Sequence, residues 1–320
     1  MWFKNLVVYR LPPDCVLDAA DLGQKLSRTP LQPCGGFDME SRGWIAPRGN
    51  DAFIRSVNRQ WLLTLGIDQK LLPAAVIRQV TQERADKIAE LQPYPVGRKQ
   101  MRDLKQQVIT ELMPKAFTRR QTVSAWIDPV NRWLVVDAAG ENKAEALVEM
   151  LRKSLDNLPL KRLETQHSPG AAMTSWLASG NAPGGFTIDQ DLELRSTDEN
   201  KAMVRYVRHD LHGREIQQHI AAGKRATRLG MTWGSRISFM LTEQLQIKRI
   251  VFLDILKNEA ESQSASSDGD ADEQFDVNFA LMSGELAHLL ADLTAALGAE
   301  AADTNPAGMK NAPASAMAAR

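Results

Sequence analysis

A chain of 320 residues, 43% hydrophobic and 24% charged, has room for two or three compact regions with their own cores. Its 39 basic and 39 acidic residues cancel, so overall charge gives no argument for a polyanionic partner. Two cysteines, Cys15 and Cys34, in no CxxC spacing argue against a disulfide framework and for free thiols in a reducing compartment.

The N-terminal MWFKNLVVYRL reads as a buried strand over residues 2–11, too short and interrupted for a secretory signal. No run reaches the roughly 18 apolar residues of a membrane span, so the expected location is the cytoplasm. Asp18–Leu26 suits a short helix, Cys34–Pro47 a turn-rich connection between strands, and Gln60–Ile67 another strand. From Pro73 the pattern turns helical, with Val76, Ile77, Val80, Ile88 and Leu91 on one stripe, until YPVG at Tyr94–Gly97 breaks it.

Arg98–Gln121 is the most informative stretch. Met101, Leu104, Val108, Ile109, Leu112 and Met113 make one apolar stripe, and Arg98, Lys99, Arg102 and Lys105 lie on other faces. Pro114 stops the helix. Lys115, Arg119 and Arg120 then surround Phe117, an aromatic among positive charges. The functional reading is an anionic-polymer contact with an apolar anchor, and the simpler alternative is a solvated helix face.

A β-hairpin follows, Ser124–Asp128 and Arg132–Ala138 around Pro129-Val130-Asn131, with Asp and Pro placed for a type I turn. A helix carries Ala144, Leu147, Val148, Leu151, Leu155 and Leu158. His167–Ala171 and Ser179–Gly185 read as linkers, with Trp176 and Phe186 as core residues beside them. Beyond lie a short helix at Arg214–Ala222 closed by Gly223 and strands at Ile237–Leu241 and Ile247–Ile255. Glu261–Glu273 reads as an acidic mobile loop, and Phe275, Val277, Phe279 and Leu281 alternate as in a half-buried strand. A last helix carries Leu286, Leu289, Leu290, Leu293 and Leu297 between Ser283 and Gly298. The class is α+β. The expected division is a central region at 1–73 and 118–166, a helical tip at 74–117, a C-terminal base at 167–300 and a disordered tail at 301–320.

Charge is polarised along this chain. Residues 69–120 hold eleven Lys or Arg against five acids, whereas residues 254–303 hold twelve acids against Lys257 alone. A second basic segment runs from Arg195 to Arg236 and includes Lys201, Arg205, Arg208, Arg214, Lys224, Arg225 and Arg228 against four acids.

No P-loop, GxSxG or HExxH motif occurs. His209, His212 and His219 lack a fixed ligand frame for zinc. Asp268–Phe279 resembles a calcium loop but has Glu273 and Phe279 at its two diagnostic positions. Asp128 and Asp137 are read as turn and strand-end residues. With no catalytic, metal or cofactor constellation, the chain reads as a binding protein rather than an enzyme. Lys and Arg without interleaved aromatic platforms favour duplex backbone over stacked single strands.

WFKNLVVYRL, CGGFDM with GWIAP, LLPAAVIRQV, LMPKAF, WID, LRKSLDNLP, HIAAGK, LGMTW with RISF, and FDVNFALMSGEL together resemble the recombination-associated protein RdgC family, in order from Met1 to about Gly298. That resemblance implies a horseshoe-like protomer, with an inserted helical tip, that forms a ring-shaped homodimer around a positively charged hole. It further implies sequence-independent binding of double-stranded DNA, weaker binding of single strands, a nucleoid location, and antagonism of the RecA recombinase in recombination. Under it Phe117 is the gate aromatic, and Arg208 and His209 fall at polar ring-closure positions, His209 departing from the amide expected there. The DNA contacts are expected among Arg98, Lys99, Arg102, Lys105, Lys115, Arg119 and Arg120, with Lys224, Arg225 and Arg228 as a second set. Two rivals stand beside this reading: capture of RecA by an acidic, DNA-mimicking 268–276 segment, and a DNA-processing enzyme subunit. Cys15 and Cys34 have no assigned task.

Overall fold

The computed structural model describes residues 2–299 except 14, 16, 50, 51, 92, 93, 156, 157, 257 and 259–270. The expected tail at 301–320 and most of the acidic loop therefore lie outside the described residues.

Twelve strands form one sheet. Its N-terminal wing comprises β1 (Leu6–Arg10), β2 (Glu40–Ile45), β3 (Ile54–Val57), β4 (Gln60–Lys70), β5 (Thr118–Asp128), β6 (Trp133–Asp137) and β7 (Lys161–Arg162). Its C-terminal wing comprises β8 (Phe186–Ser196), β9 (Met203–Tyr206), β10 (Lys224–Trp233), β11 (Ile237–Thr242) and β12 (Ile247–Phe252). The order is β2-β4-β5-β6-β1-β12-β11-β10-β8-β9, with β3 on β4 and β7 on β1. The strand pairs are antiparallel, and one register pair, Leu6↔Ile247, joins the wings.

Side chains alternate across a strand, and β1 sits at the joint with apolar residues on both faces. Val7 and Tyr9 enter a core with Trp44, Leu63, Leu65, Val123 and Val136. Helices α1 (Ala19–Leu26) and α4 (Glu141–Ser154) cover that face through Leu22, Leu26, Leu147 and Leu151. Leu6 and Val8 enter the other core, which includes Leu62, Trp126, Leu229, Phe239 and Leu241. It is covered by α5 (Pro169–Ser179), α6 (Arg214–Ala221) and α7 (Ala271–Ala296). Helices thus cover opposite faces of the two wings. The C-terminal wing leaves an open face carrying Arg228, Gly230, Thr232, Ser238 and Met240.

Helix α7 clamps both wings. Phe279, Met282, Leu286 and Leu290 are buried against the C-terminal sheet. Asp276 accepts two hydrogen bonds from Arg55 of β3, 2.8 and 2.6 Å long, and Glu285 accepts two from Arg236, both 2.9 Å. Phe275–Leu281 is therefore helix, not the expected strand, and Asp272–Phe279 is no calcium loop. Phe275, Phe279 and Met282 recur at helical spacing, and four alternating residues satisfy both periods.

Two further expectations are corrected. His167–Ala171 is not a linker: Ser168 caps α5, its hydroxyl accepting the Ala171 N–H at 3.4 Å, and Pro169 opens the helix. Gly180, at φ 70°, ends it in the left-handed conformation that glycine tolerates. Within Cys34–Pro47, Glu40–Ile45 is strand β2 rather than turn.

Helices α2 (Ala74–Leu91) and α3 (Arg98–Leu112) form a hairpin inserted between β4 and β5. Its entry and exit meet, the Leu71 N–H donating to the Phe117 carbonyl at 2.7 Å.

Candidate nucleic-acid interface

The hairpin is held by little. Thr81 and Ala85 of α2 and Leu104 and Val108 of α3 are its buried helical residues, and Arg84 bonds Glu111 across it at 2.5 Å. That guanidinium holds the Glu111 carboxyl below the usual range. Leu91, expected in the core stripe, is 88% exposed at the far tip beside the exposed Tyr94. Two packed helices bury one stripe each, and among the described residues no third layer covers the remainder.

Helix α3 starts at Gly97, which offers no side-chain cap, and has no acid in its first turn. Arg98 and Lys99 stand there instead, at the positive end of the helix dipole, at a cost of about 0.3–1 kcal/mol each, and Arg102 follows one turn on. They and Lys105 are exposed. No ion pair to any of the four exists among the described residues. Positive charge is therefore concentrated where unpaired helix N–H groups already attract anions.

The other half of the expected cluster lies elsewhere. Fifteen residues of α3 place Lys115, Phe117, Arg119 and Arg120 about 22 Å from the tip. Phe117 is 84% exposed at the foot of the hairpin, near Phe37, Met39 and Leu71, which are exposed too. These ends are stitched together, Lys70 donating its N–H to the Met39 carbonyl at 2.8 Å. Arg119 is exposed and makes no ion pair among the described residues. Lys115 lies 3.9 Å from Glu111. Arg120 grips both oxygens of Asp68 at 2.8 Å, which lowers the Asp68 pKa and engages this guanidinium internally.

The second set is split by the pleat. Lys224 shares the helix-covered face with Ala226, its Nζ 2.9 Å from Nδ1 of His219 on α6. Arg225 and Arg228 lie on the open face, Arg228 3.6 Å from the buried Glu193. Arg208 and His209 follow β9. Arg208 sits at φ 52° and donates its N–H to Asp191 at 3.0 Å. The His209 ring lies 5.0 Å from that of Tyr206 and 3.7 Å from Glu215. Six strands separate β5 from β9, so Phe117 and these two residues occupy opposite wings of one protomer.

The sequence reading passed over Lys248 and Arg249. With Arg205 and Arg228 they line the open face of the C-terminal wing. The signal was a basic pair interrupting the apolar strand IKRIVF.

Among the described residues no three of His, Cys, Asp and Glu converge to hold a metal ion, His209, His212 and His219 included. None of their helices is long and apolar enough to cross a membrane. Cys34 donates weakly to the Asp68 carbonyl at 2.9 Å, and burial raises the Cys15 thiol pKa.

Residues 1–300 match a family model described as "Putative exonuclease, RdgC". A protein named "Recombination-associated protein RdgC" from Herminiimonas arsenicoxydans is 51% identical over 302 residues, covering 94% of this chain and 99% of the relative. Proteins of that name from Janthinobacterium sp. (strain Marseille) and Dechloromonas aromatica are each 50% identical, over 94% of this chain and 99% and 98% of their own lengths. Model and relatives span nearly the same residues as the resemblance in the sequence, and the chain belongs to the recombination-associated RdgC family.

Proposed function

We propose that this protein is a sequence-independent, mainly duplex DNA-binding protein that acts in recombination as a ring-shaped dimer. In this reading it is a nucleoid protein without enzymatic activity that limits RecA access to DNA, binding single strands more weakly. The observation that carries it is the run Arg98, Lys99, Arg102 and Lys105: four exposed cations on the first eight residues of α3, none in an ion pair among the described residues. A folded chain gains no stability from that arrangement, whereas a phosphate backbone does, by displacing counterions. Side chains that contact phosphates position a duplex without reading its bases, in keeping with the expected lack of sequence preference.

The exposed Phe117 supports the dimer. A large aromatic in water at the foot of an inserted hairpin is costly to leave uncovered, and aromatic anchors dominate the energetics of small interfaces. A second protomer that covers it would close a ring through a gate modest enough to reopen. A net-neutral chain can still hold a polyanion when its cations line the inside and its acids face outward.

Quadruple replacement of Arg98, Lys99, Arg102 and Lys105 by Ala tests the reading in a salt series on duplexes of unrelated sequence. Affinity should fall alike for all sequences, and the slope of log K against log salt should flatten by about three to four. An unchanged slope would take the hairpin out of the interface. The family description favours one second reading, exonuclease activity. Loss of end-labelled DNA on incubation with a divalent metal would establish it, and intact DNA would exclude it.

A further inference from the structure

The open face of the C-terminal wing carries a groove of about 520 Å³ apart from the α3 contacts of the duplex reading, and of the expected DNA contacts Arg228 alone borders the recess it opens into. Asp189, Asp191, Gly230, Ser238, Met240 and Arg249 line it. It runs into a cationic recess where Arg205, Arg228 and Lys248 join Arg249. Such a volume suits a small ligand or one nucleotide.

Strand irregularities build both ends. Asp189, Gln190 and Asp191 of β8 face Gly230 alone, because the register jumps between Leu229↔Leu192 and Met231↔Ile188. A Cβ at position 230 would come within 3.3 Å of both aspartate Cβ atoms, so glycine keeps the floor clear. On β12 the register jumps between Lys248↔Met240 and Val251↔Ser238, and Arg249 in this bulge sits at φ 53°. A left-handed arginine is strained where glycine would not be, and the bulge turns its side chain into the groove.

The two ends differ in chemistry. Asp189 accepts from Thr232 Oγ1 at 3.0 Å and Ser238 Oγ at 3.1 Å, and Asp191 from the Arg208 N–H. Both carboxylates keep acceptor capacity facing the groove. At the other end four cations outnumber the carboxylates of Asp191 and Glu193. Arg205, Lys248 and Arg249 make no ion pair among the described residues.

We infer that this groove holds one unpaired nucleotide, its phosphate at Arg228, Lys248 and Arg249 and an amino-bearing base edge at Asp189 and Asp191. Carboxylates accept from an exocyclic amine such as cytosine N4, which thymine lacks. The site stands apart from the duplex contacts on α3, and its failure would leave that reading intact.

Anisotropy titrations with short deoxycytidine and thymidine homopolymers, and competition by dCMP and dTMP, test it. The wild type should bind the deoxycytidine polymer roughly tenfold more tightly than the thymidine polymer. Asp189→Asn and Asp189→Ala should erase that preference. Competition by dCMP at matched nucleotide concentration would assign a free nucleotide as the natural ligand, and polymer binding without it a strand. Arg249→Gly suits the φ of 53° and leaves the fold intact; it should weaken both polymers alike while the duplex salt slope stays unchanged. Equal wild-type affinity for the two polymers, a preference that survives at Asp189, or no loss in Arg249→Gly would each overturn the assignment.

Discussion

Strand β4 buries eight of its eleven residues, whereas the two helices of the hairpin bury four side chains between them. The sheet body shields Trp44, Trp126, Phe3 and Phe279 completely or nearly so, and the hairpin with its foot exposes Leu91, Tyr94 and Phe117. Body residues are accounted for by burial, at about 1.5–3 kcal/mol for each large apolar side chain. Hairpin residues are not. Two cations in the first turn of α3, against its dipole, and an aromatic in water each work against the isolated chain, which makes them the residues to explain by what the protein binds.

The largest effect that sharpens this contrast is in the body. Phe279→Ala should cost about 3–5 kcal/mol in chemical denaturation, because α7 is pinned to both wings and leaves a cavity that cannot collapse. Removing the hairpin should do the reverse. Leu71 and Phe117 are already hydrogen-bonded neighbours, so a two-residue Asn-Gly turn can join β4 to β5 in place of residues 72–116. The shortened protein should keep a cooperative melt and lose more than tenfold in duplex affinity at moderate salt. A shortened protein that aggregates or unfolds would show that the hairpin supports the body after all.

Smaller effects bear on the seam between the regions. The Arg120 guanidinium lowers the Asp68 pKa below its unfolded value, so their pairing contributes stability above that unfolded value, near 3.9, and loses it as pH falls through the lowered one. Arg120 is largely exposed, so solvent screens the pair and Arg120→Ala should cost about 1 kcal/mol or less at pH 7. Its melting deficit should narrow below about pH 3.9 and vanish once the folded pKa is passed. Leu91→Ser should change stability by less than about 0.5 kcal/mol, as expected of a side chain that touches little.

Much of the body was legible in the sequence. Strands β1, β4 and β6 followed from β-branched runs, α1 from Asp18, whose carboxylate accepts the Ala20 and Asp21 N–H groups, and the hairpin from Pro73 and Tyr94–Gly97. What escaped was longer-range. Strands β8 and β10 carry Asp189, Asp191, Arg225 and Arg228 on an uncovered face, and bulges break their alternation: Gln190 interrupts the apolar face of β8, and the shift between Ala226 and Arg228 resets the period in β10. Phe275–Leu281 fits two periods, and contact with Arg55 and the C-terminal sheet chooses the helix. Among site residues, the sequence grouped Arg98 with Arg120 because they are close along the chain. The rigid length of α3 separates them, and Asp68, fifty-two positions from Arg120, engages one of them. Lys248 and Arg249 were hidden because a bulge, not a motif, brings them to Arg228.

The central claim is encirclement through a Phe117 gate, and its most direct test is a salt challenge of complexes on linear duplex and on the same DNA as a closed circle. Wild-type complexes should survive on the circle under salt that strips them from free-ended DNA, and Phe117→Ser should lose that difference while binding linear duplex as before. Equal survival on both topologies for the wild type would contradict the ring and leave an open basic surface as the mode of binding.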